Sequence, residues 1–506
     1  MRSIQRRTLG RIDRRSTLVA SIGLALTACA VGPDFKPPEA PQVGDADRPY
    51  TPSPMPLQTA GAPVPGGAPQ RFLTGEDISA LWWEAFRSEP LDQLIRSALK
   101  RSPTLASAQA ALREAQASYE ATWGSTLLPN VNGQLSATRQ RASLTSFGLL
   151  GTAEFDLYTV SVNGSYTIDA FGAARRELEG LRAAIDYQRY QVEAAYLSLT
   201  ANLVTTAIQE ASIRAQLQAT QDVLAAESQT LSIVEKQQAL GAVAYTAVIT
   251  QRTQVAQTRA LLPALEKSLA QTRHLLAVYA GQLPSEAGLP EFSLESLQLP
   301  HDLPVSLPSS LVRQRPDIRA SEAQLHQANA QVGVATANLY PQITLSASTG
   351  QQSVQTNDLF SNSNFTWSLG AGLLQPIFQG GALRARKRAA IAAFDAAQAQ
   401  YQQTVLNAFL DVANTLRALD IDADALRVQA QSESLARESL DLVTRQYELG
   451  AASYLQLLDS QRTYQQAKVG LVQAQAARYA DTAALFQALG GGWWNRPPLA
   501  EATGRP

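Results

Sequence analysis

The chain has 506 residues and a near-balanced charge, with 42 Lys and Arg against 43 Asp and Glu. That balance argues against nucleic acid as a partner, while the length suffices for a large core. With a single cysteine, no disulfide can form within the chain.

Residues 1–28 read as a leader rather than part of the fold. Arg2, Arg6, Arg7, Arg11, Arg14 and Arg15 give it a positive start, and Thr17 to Ala28 is an apolar run too short to span a bilayer. It ends in Leu26-Thr27-Ala28-Cys29, which resembles a bacterial lipobox. A lone cysteine is ordinarily a small buried residue, but its place directly after an apolar run and two small residues favours lipidation. The resemblance implies a lipoprotein signal peptide cut before Cys29, with S-diacylglycerol and N-palmitoyl groups on that residue. Two or more acyl chains hold a protein firmly at a membrane. Ala30 follows, where an aspartate would suggest retention at the inner membrane. Residues 29–70 are rich in Pro, Gly and Ala and lack periodicity, as in an extended tether.

Four runs then alternate apolar and small polar residues: about 129–139, 157–170, 341–350 and 365–376. In the first, Val131, Gly133, Leu135 and Ala137 alternate with Asn132, Gln134, Ser136 and Thr138. In the last, Phe365, Trp367, Leu369, Ala371 and Leu373 alternate with Thr366, Ser368, Gly370 and Gly372. Each run has roughly the length of a tilted membrane-spanning strand. The apolar side would meet lipid and the polar side water, with Gly151–Phe155 and Gln351–Asn364 as exposed loops. An ordinary half-buried sheet is the bland alternative, but four such runs behind a lipobox outweigh it. Four strands leave open edges, which lipid does not tolerate. Two, three or four copies would close eight, twelve or sixteen strands. Eight leave almost no lumen, and periodicity does not choose between the larger two.

Gly and Pro vanish from Leu181 to Leu240 and again from Ala382 to Leu449. A helix of about 65 residues would reach about 100 Å. Leu178, Leu181, Ile185, Gln188, Val192, Ala195 and Leu199 step by three and four, and Ile391, Phe394, Tyr401, Val405, Val412 and Leu419 form a similar seam, as in a coiled coil. Gly241 and Gly450 end these runs and suit left-handed turns, after which helical patterns return. Helical hairpins are thus expected over about 173–280 and 382–489, with tips near 241 and 450. Shorter helices, about 104–127 and 317–339, lead into the strands. Pro263 should kink or break its helix.

The order of features is written twice, about 210 residues apart, a period far too long for a solenoid. Leu128-Pro129-Asn130-Val131 answers Tyr340-Pro341-Gln342-Ile343, and Leu240-Gly241-Ala242-Val243-Ala244-Tyr245 answers Leu449-Gly450-Ala451-Ala452-Ser453-Tyr454. Repeats over 71–300 and 301–495 follow, with a tail over 496–506. Asp459 of the second copy falls opposite Thr250 or Ile249 of the first.

Trp82-Trp83-Glu84-Ala85-Phe86, Leu307-Pro308-Ser309-Ser310-Leu311, Arg315-Pro316-Asp317-Ile318-Arg319-Ala320 and Pro376-Ile377-Phe378-Gln379-Gly380-Gly381 resemble TolC-like outer-membrane efflux proteins. Cys29-Ala30-Val31-Gly32-Pro33-Asp34-Phe35 and Leu489-Gly490-Gly491-Gly492-Trp493 resemble that family's NodT-type lipoprotein branch. The resemblance implies a mainly α fold with membrane β. Three chains would form a trimeric 12-stranded β-barrel, four strands from each. It would be continuous with a long periplasmic α-helical barrel and flanked by a mixed α/β equatorial region. It implies an exit duct carrying drugs or other small molecules across the outer membrane. Its partners would be a homotrimer's other copies, a periplasmic membrane-fusion adaptor, an inner-membrane pump of the RND or another type and outer-membrane lipid. By resemblance, Leu455 and Asp459 would ring a periplasmic gate and Arg462 would tie it. Three copies of Asp459 near one axis would repel one another and draw cations. Gln456 and Ala452 stand where some members carry an acidic residue and an arginine latch. The bland reading of Asp459 and Arg462 is a solvated pair three residues apart. Tips near Gly241 and Gly450 are the natural adaptor surface.

No catalytic constellation, cofactor motif or metal-ligand spacing is legible, and His274, His301 and His326 are widely scattered. Arg175-Arg176 and Arg384, Arg386, Lys387 and Arg388 follow the inbound strands, either as solvated charge or as partners of lipid headgroups. The alternative to a channel is a non-porous periplasm-spanning lipoprotein or adhesin built on coiled coils, which has no use for alternating strands.

Overall fold

The computed structural model describes residues 30–39, 50–143, 145, 148, 150–285, 288–306 and 308–496. The expected leader, Cys29 and the tail beyond residue 496 lie outside the described residues. In chain order the elements are β1 (Arg71–Thr74), α1 (Glu89–Arg101), α2 (Pro103–Leu127), β2 (Asn130–Ser143), β3 (Thr152–Ile168), α3 (Ala173–Ala239), α4 (Tyr245–Tyr279), β4 (Asp302–Val305), α5 (Pro308–Gln314), α6 (Pro316–Ala337), β5 (Gln342–Ser353), β6 (Phe365–Leu374), α7 (Ala382–Glu448) and α8 (Tyr454–Ala488). By their described residues they fall into two compact units, one within 30–38, 112–188 and 321–401, the other within 50–111, 189–320 and 402–496.

The first unit holds an antiparallel sheet of order β2-β3-β5-β6. Its register brings all four alternating runs into phase. Leu135 lies opposite Val160, Gly133 opposite Val162, Tyr166 opposite Leu345, and Ala347 opposite Leu369. Residues directly opposite each other share a face, so the apolar sets form one continuous side. Val131, Leu135, Val162, Leu345, Trp367 and Leu369 are exposed on it. The other side carries Gln134, Ser161, Asn163, Ser346 and Ser348. There Asn163 donates to Ser161 Oγ at 3.1 Å, and Ser348 Oγ donates to Asn163 Oδ1 at 2.7 Å. Among the described residues, β2 and β6 are each paired along one edge only.

Two loop boundaries differ from the sequence reading. β3 begins at Thr152, so residues 152–155 are strand rather than loop, and β5 runs on to Ser353. The ladder continues where alternation has ended because backbone pairing needs no apolar side chain. Arg139 lies opposite Asp156 and Arg141 opposite Glu154, so opposite charges face each other on these extensions.

The chain from Ala30 to Pro38, expected as part of a tether, is fastened to this unit. Val31 N donates to Phe171 O at 3.1 Å and Asn329 Nδ2 to Pro33 O at 3.0 Å. Phe35 stacks on His326 with ring centres 4.2 Å apart. Gly32 adopts φ +104°, and a Cβ there would lie 2.6 Å from the Gly333 backbone. Single polar contacts of this kind leave no periodic trace in sequence.

The second unit has the larger core. β1 and β4 pair in parallel, joining the start of the first repeat to the start of the second. Trp82, Trp83 and Phe86, in a 3-10 turn over Trp82–Phe86, are buried with Ile95, Leu203, Ile208, Leu303 and Phe486. Trp82 stacks on Phe486 at 5.5 Å, and Trp83 Nε1 donates to Asp92 Oδ1 at 2.9 Å. Arg478 of α8 is fully buried and donates to Thr59 Oγ1 at 2.9 Å and Ala68 O at 2.6 Å. These bonds fix the segment before β1. No carboxylate pairs with Arg478 among the described residues, and burial pushes its pKa down.

α3 and α7 have 67 residues each, and α4 and α8 have 35 each. Ala173 to Ala382 and Tyr245 to Tyr454 are both steps of 209. The helical repeat is therefore in strict register, and Asp459 answers Thr250 rather than Ile249. The seam of α7 is buried from Tyr401 through Val405, Val412 and Leu419, whereas Ile391 is exposed. All four long helices end in Schellman turns, which recapture the last carbonyls. Gly241 N reaches Gln238 O while Ala242 N reaches Gln237 O, and Gly281, Gly450 and Gly490 repeat the pattern. Of the kink or break expected at Pro263, the break does not occur: α4 continues through it. That proline is exposed, so water can serve the carbonyl its missing N–H leaves free. No helix among the described residues is long and apolar enough to cross a membrane.

Candidate functional site

The two hairpin tips differ in construction. At the second, Ser453 caps α8 in a reciprocal box, its Oγ accepting from Gln456 N while Gln456 Oε1 accepts from Ser453 N at 2.8 Å. Gln456 is thereby committed to the helix start. At the first tip Ala244 holds the cap position with no side-chain bond. Gly241 and Gly450 carry φ of +76° and +72°, left-handed turns that a side chain would strain.

Leu455 is 71% exposed, and Asp459 and Arg462 lie on the exposed face of the same helix. The sequence pairing of Asp459 with Arg462 is not formed. Asp459 has no ion pair among the described residues; its backbone oxygen accepts from Thr463 Oγ1 at 2.9 Å. Arg462 Nε instead donates to Gln254 Oε1 of α4 at 2.7 Å. The amide oxygen already points outward from a buried site, so Arg462 meets a fixed acceptor without ordering a second flexible charge.

Behind this contact lies a polar cluster in an otherwise close-packed helix junction. Gln251, Gln254 and Thr258 of α4 and Glu227 of α3 are all buried. Tyr454 OH donates to Gln251 Oε1 at 2.6 Å, and Gln461 Nε2 donates to Thr230 Oγ1 at 3.1 Å. Tyr447 OH donates to Gln237 Oε1 at 2.8 Å, and its ring meets Tyr454 edge-on at 6.2 Å. The α7–α8 hairpin is thus bonded to the α3–α4 hairpin at several points near the tips. Burial pushes the Tyr454 phenol up to about 12, which keeps it a neutral donor. Burial also raises Glu227, against the pull of hydrogen bonds from Thr258 and Gln254 and of the Arg462 charge. Sequence reading passed over Glu227 and Gln254. Their only trace is polar residues at 251, 254 and 258 along the buried stripe with Val248 and Val255.

The basic residues after the strands divide. Arg175 pairs with Asp169 at 3.1 Å, and buried Arg176 pairs with Asp34 at 2.6 Å and Glu179 at 2.7 Å. Neither is a free charge for headgroups. Arg384, Arg386 and Arg388 are exposed. His326 meets Glu179 at 2.9 Å. Among the described residues no group of three or more His, Cys, Asp or Glu is placed to hold a metal.

A duplicated unit, a one-sided apolar sheet and long paired helices form an arrangement shared with known proteins. The family model described as outer membrane efflux protein matches residues 94–282 and again 307–491. The chain belongs to that family. It is 35% identical over 422 residues to the pyoverdine export outer membrane protein OpmQ of Pseudomonas aeruginosa, covering 81% of this chain and 87% of that one. It is 28% identical over 491 residues to nodulation protein T of Rhizobium leguminosarum bv. trifolii, covering 95% and 97%. The solved outer-membrane channel OprN superposes with a TM-score of 0.82 at 28% identity, over 92% of this chain and all of that one. The open state of the Neisseria gonorrhoeae MtrE outer membrane channel gives 0.78 at 27% identity, over 92% and 99%.

This outer membrane efflux protein therefore has the TolC-like channel fold and sits in the outer membrane, extending into the periplasm. It serves as an exit duct, which sets aside the non-porous stalk. Members of the family are outer-membrane components of tripartite pumps, which implies an adaptor and an inner-membrane pump, and its relatives are channels rather than enzymes.

Proposed function

We propose that three copies close their sheets edge to edge into one twelve-stranded barrel, β6 of each copy pairing with β2 of the next. The observation that carries this is the sheet itself: the apolar sets of all four runs share one face, much of it exposed, the other face carries small polar groups, and among the described residues neither outer edge is paired. An open edge in hydrocarbon costs several kcal/mol for each stranded backbone group, about the reverse of what pairing with a neighbour supplies. Twelve strands leave a lumen, which eight do not. In this assembly Leu455 and Asp459 ring the periplasmic end, Arg462 ties the closed state to Gln254, and the tips at Gly241 and Gly450 meet a membrane-fusion adaptor of an RND-type pump. Cys29 carries S-diacylglycerol and N-palmitoyl groups that anchor the chain beside its barrel. The relatives are named for pyoverdine, toluene and cation export. That spread supports a duct that makes few demands on its cargo, with selection left to the pump.

The test uses the channel purified in detergent. Native mass spectrometry should give a mass of three chains, and cysteines placed on the outer edges of β2 and β6 in a Cys29→Ser background should cross-link copies into closed rings of three. Monomers, or rings of four, would overturn the assembly.

A further inference from the structure

The gate contact has a buried acid behind it that faces neither solvent nor the tip. Glu227 is 1% exposed. Its Oε1 accepts from Gln254 Nε2 at 2.9 Å, and its backbone oxygen accepts from Gln251 Nε2 at 3.0 Å. The other ends of these two amides accept from α8: Gln254 Oε1 from Arg462 Nε, and Gln251 Oε1 from Tyr454 OH. Both amides therefore bridge in the same sense, N–H toward residue 227 and oxygen toward a donor on α8.

A glutamine amide is nearly symmetric in shape and opposite in polarity at its two ends. Turned over, Gln254 would aim its NH2 at the Arg462 guanidinium, donor against donor, and its oxygen at the carboxylate, acceptor against acceptor. An ionised carboxylate only accepts, so it admits one orientation. The backbone carbonyl does the same for Gln251. Thr258 Oγ1, at 3.5 Å from Gln254 Nε2, adds a weaker contact on the same side. We propose that Glu227 is a positioning residue of the periplasmic gate: its carboxylate locks the Gln254 amide with its oxygen toward Arg462, and so sets the latch through a second residue. This rests on the reading of Arg462 as a gate tie.

Glu227→Gln changes almost no volume but replaces an obligate acceptor with a group that can also donate. Single-channel recording of the purified channel in planar bilayers would compare the native protein with Arg462→Ala, Glu227→Gln, the two combined, and the exchange Glu227→Gln with Gln254→Glu. Arg462→Ala should raise open probability on the order of tenfold, the loss of one charge-assisted hydrogen bond. Glu227→Gln should raise it in the same direction and add little once Arg462 is gone. The exchange should restore the native value, because Gln at 227 donates to Glu at 254 and that carboxylate accepts from Arg462. Native behaviour of Glu227→Gln beside an opened Arg462→Ala channel would overturn the role of Glu227 and leave the gate standing. An unaltered Arg462→Ala channel would overturn the gate itself and this role with it. An opened Glu227→Gln channel that the exchange fails to reclose would mean that the acid acts by packing, and would also overturn the proposal.

Discussion

Tyr454→Phe isolates one bond between the hairpins. The hydroxyl donates to Gln251 Oε1 at 2.6 Å, and Gln251 is 0% exposed. Removing the donor leaves a buried amide oxygen with nothing to accept, at a cost of about 1–3 kcal/mol. The ring and its edge-on contact with Tyr447 are kept, so little packing is lost. If the hairpins part on opening, only the closed state bears this cost. At about 2 kcal/mol per chain the closed-to-open ratio falls about thirtyfold for each chain that opens. The assay is open probability of the purified channel in a planar bilayer without an adaptor, and Tyr245→Phe is the internal control. Tyr245 holds the matching position in the first repeat but is 60% exposed, so its hydroxyl can exchange protein for water at no net loss. Because burial holds the Tyr454 phenol at about 12, the difference between the two variants should persist from acid to mildly alkaline pH. Equal open probability for the two variants would refute the reasoning.

Asp481 of α8 faces Asp422 of α7, and burial first, then the shared hydrogen bond and repulsion, raise it from 3.8 to about 7. A carboxyl raised on folding binds more protons in the native than in the unfolded state, so stability falls as pH climbs from about 4 to about 7 and is level above that. Asp481→Asn should abolish much of this decline, read as the apparent melting temperature at pH 5 against pH 8; an unchanged pH slope would remove Asp481 from it. Cys29→Ser should end incorporation of labelled palmitate, and a variant that is still labelled would contradict lipidation at that residue.

Much of the fold was legible because it rests on periodicity. The alternation from Val131 and from Phe365 marked strands, and the absence of Gly and Pro after Ala382 marked a helix that does run to Glu448. The strand ends were less legible, since the extensions past Arg139 and before Phe155 carry charge rather than alternation. The contacts of the candidate site were less legible. Leu455, Asp459 and Arg462 are gate candidates through family resemblance alone, and the acceptor for Arg462 lies 208 residues away at Gln254. No local spacing links them.

Taken alone, the sequence determined the duplication, the two kinds of element and the turns at Gly241 and Gly450. All of these follow from neighbours along the chain, through side-chain period and backbone conformational freedom. Tertiary structure decided that four alternating runs share one apolar face, that residues 30–38 are fastened rather than free, and that Arg462 turns away from Asp459. Each depends on register between distant segments, where one hydrogen-bonding partner outcompetes another only once the backbone has brought both within reach.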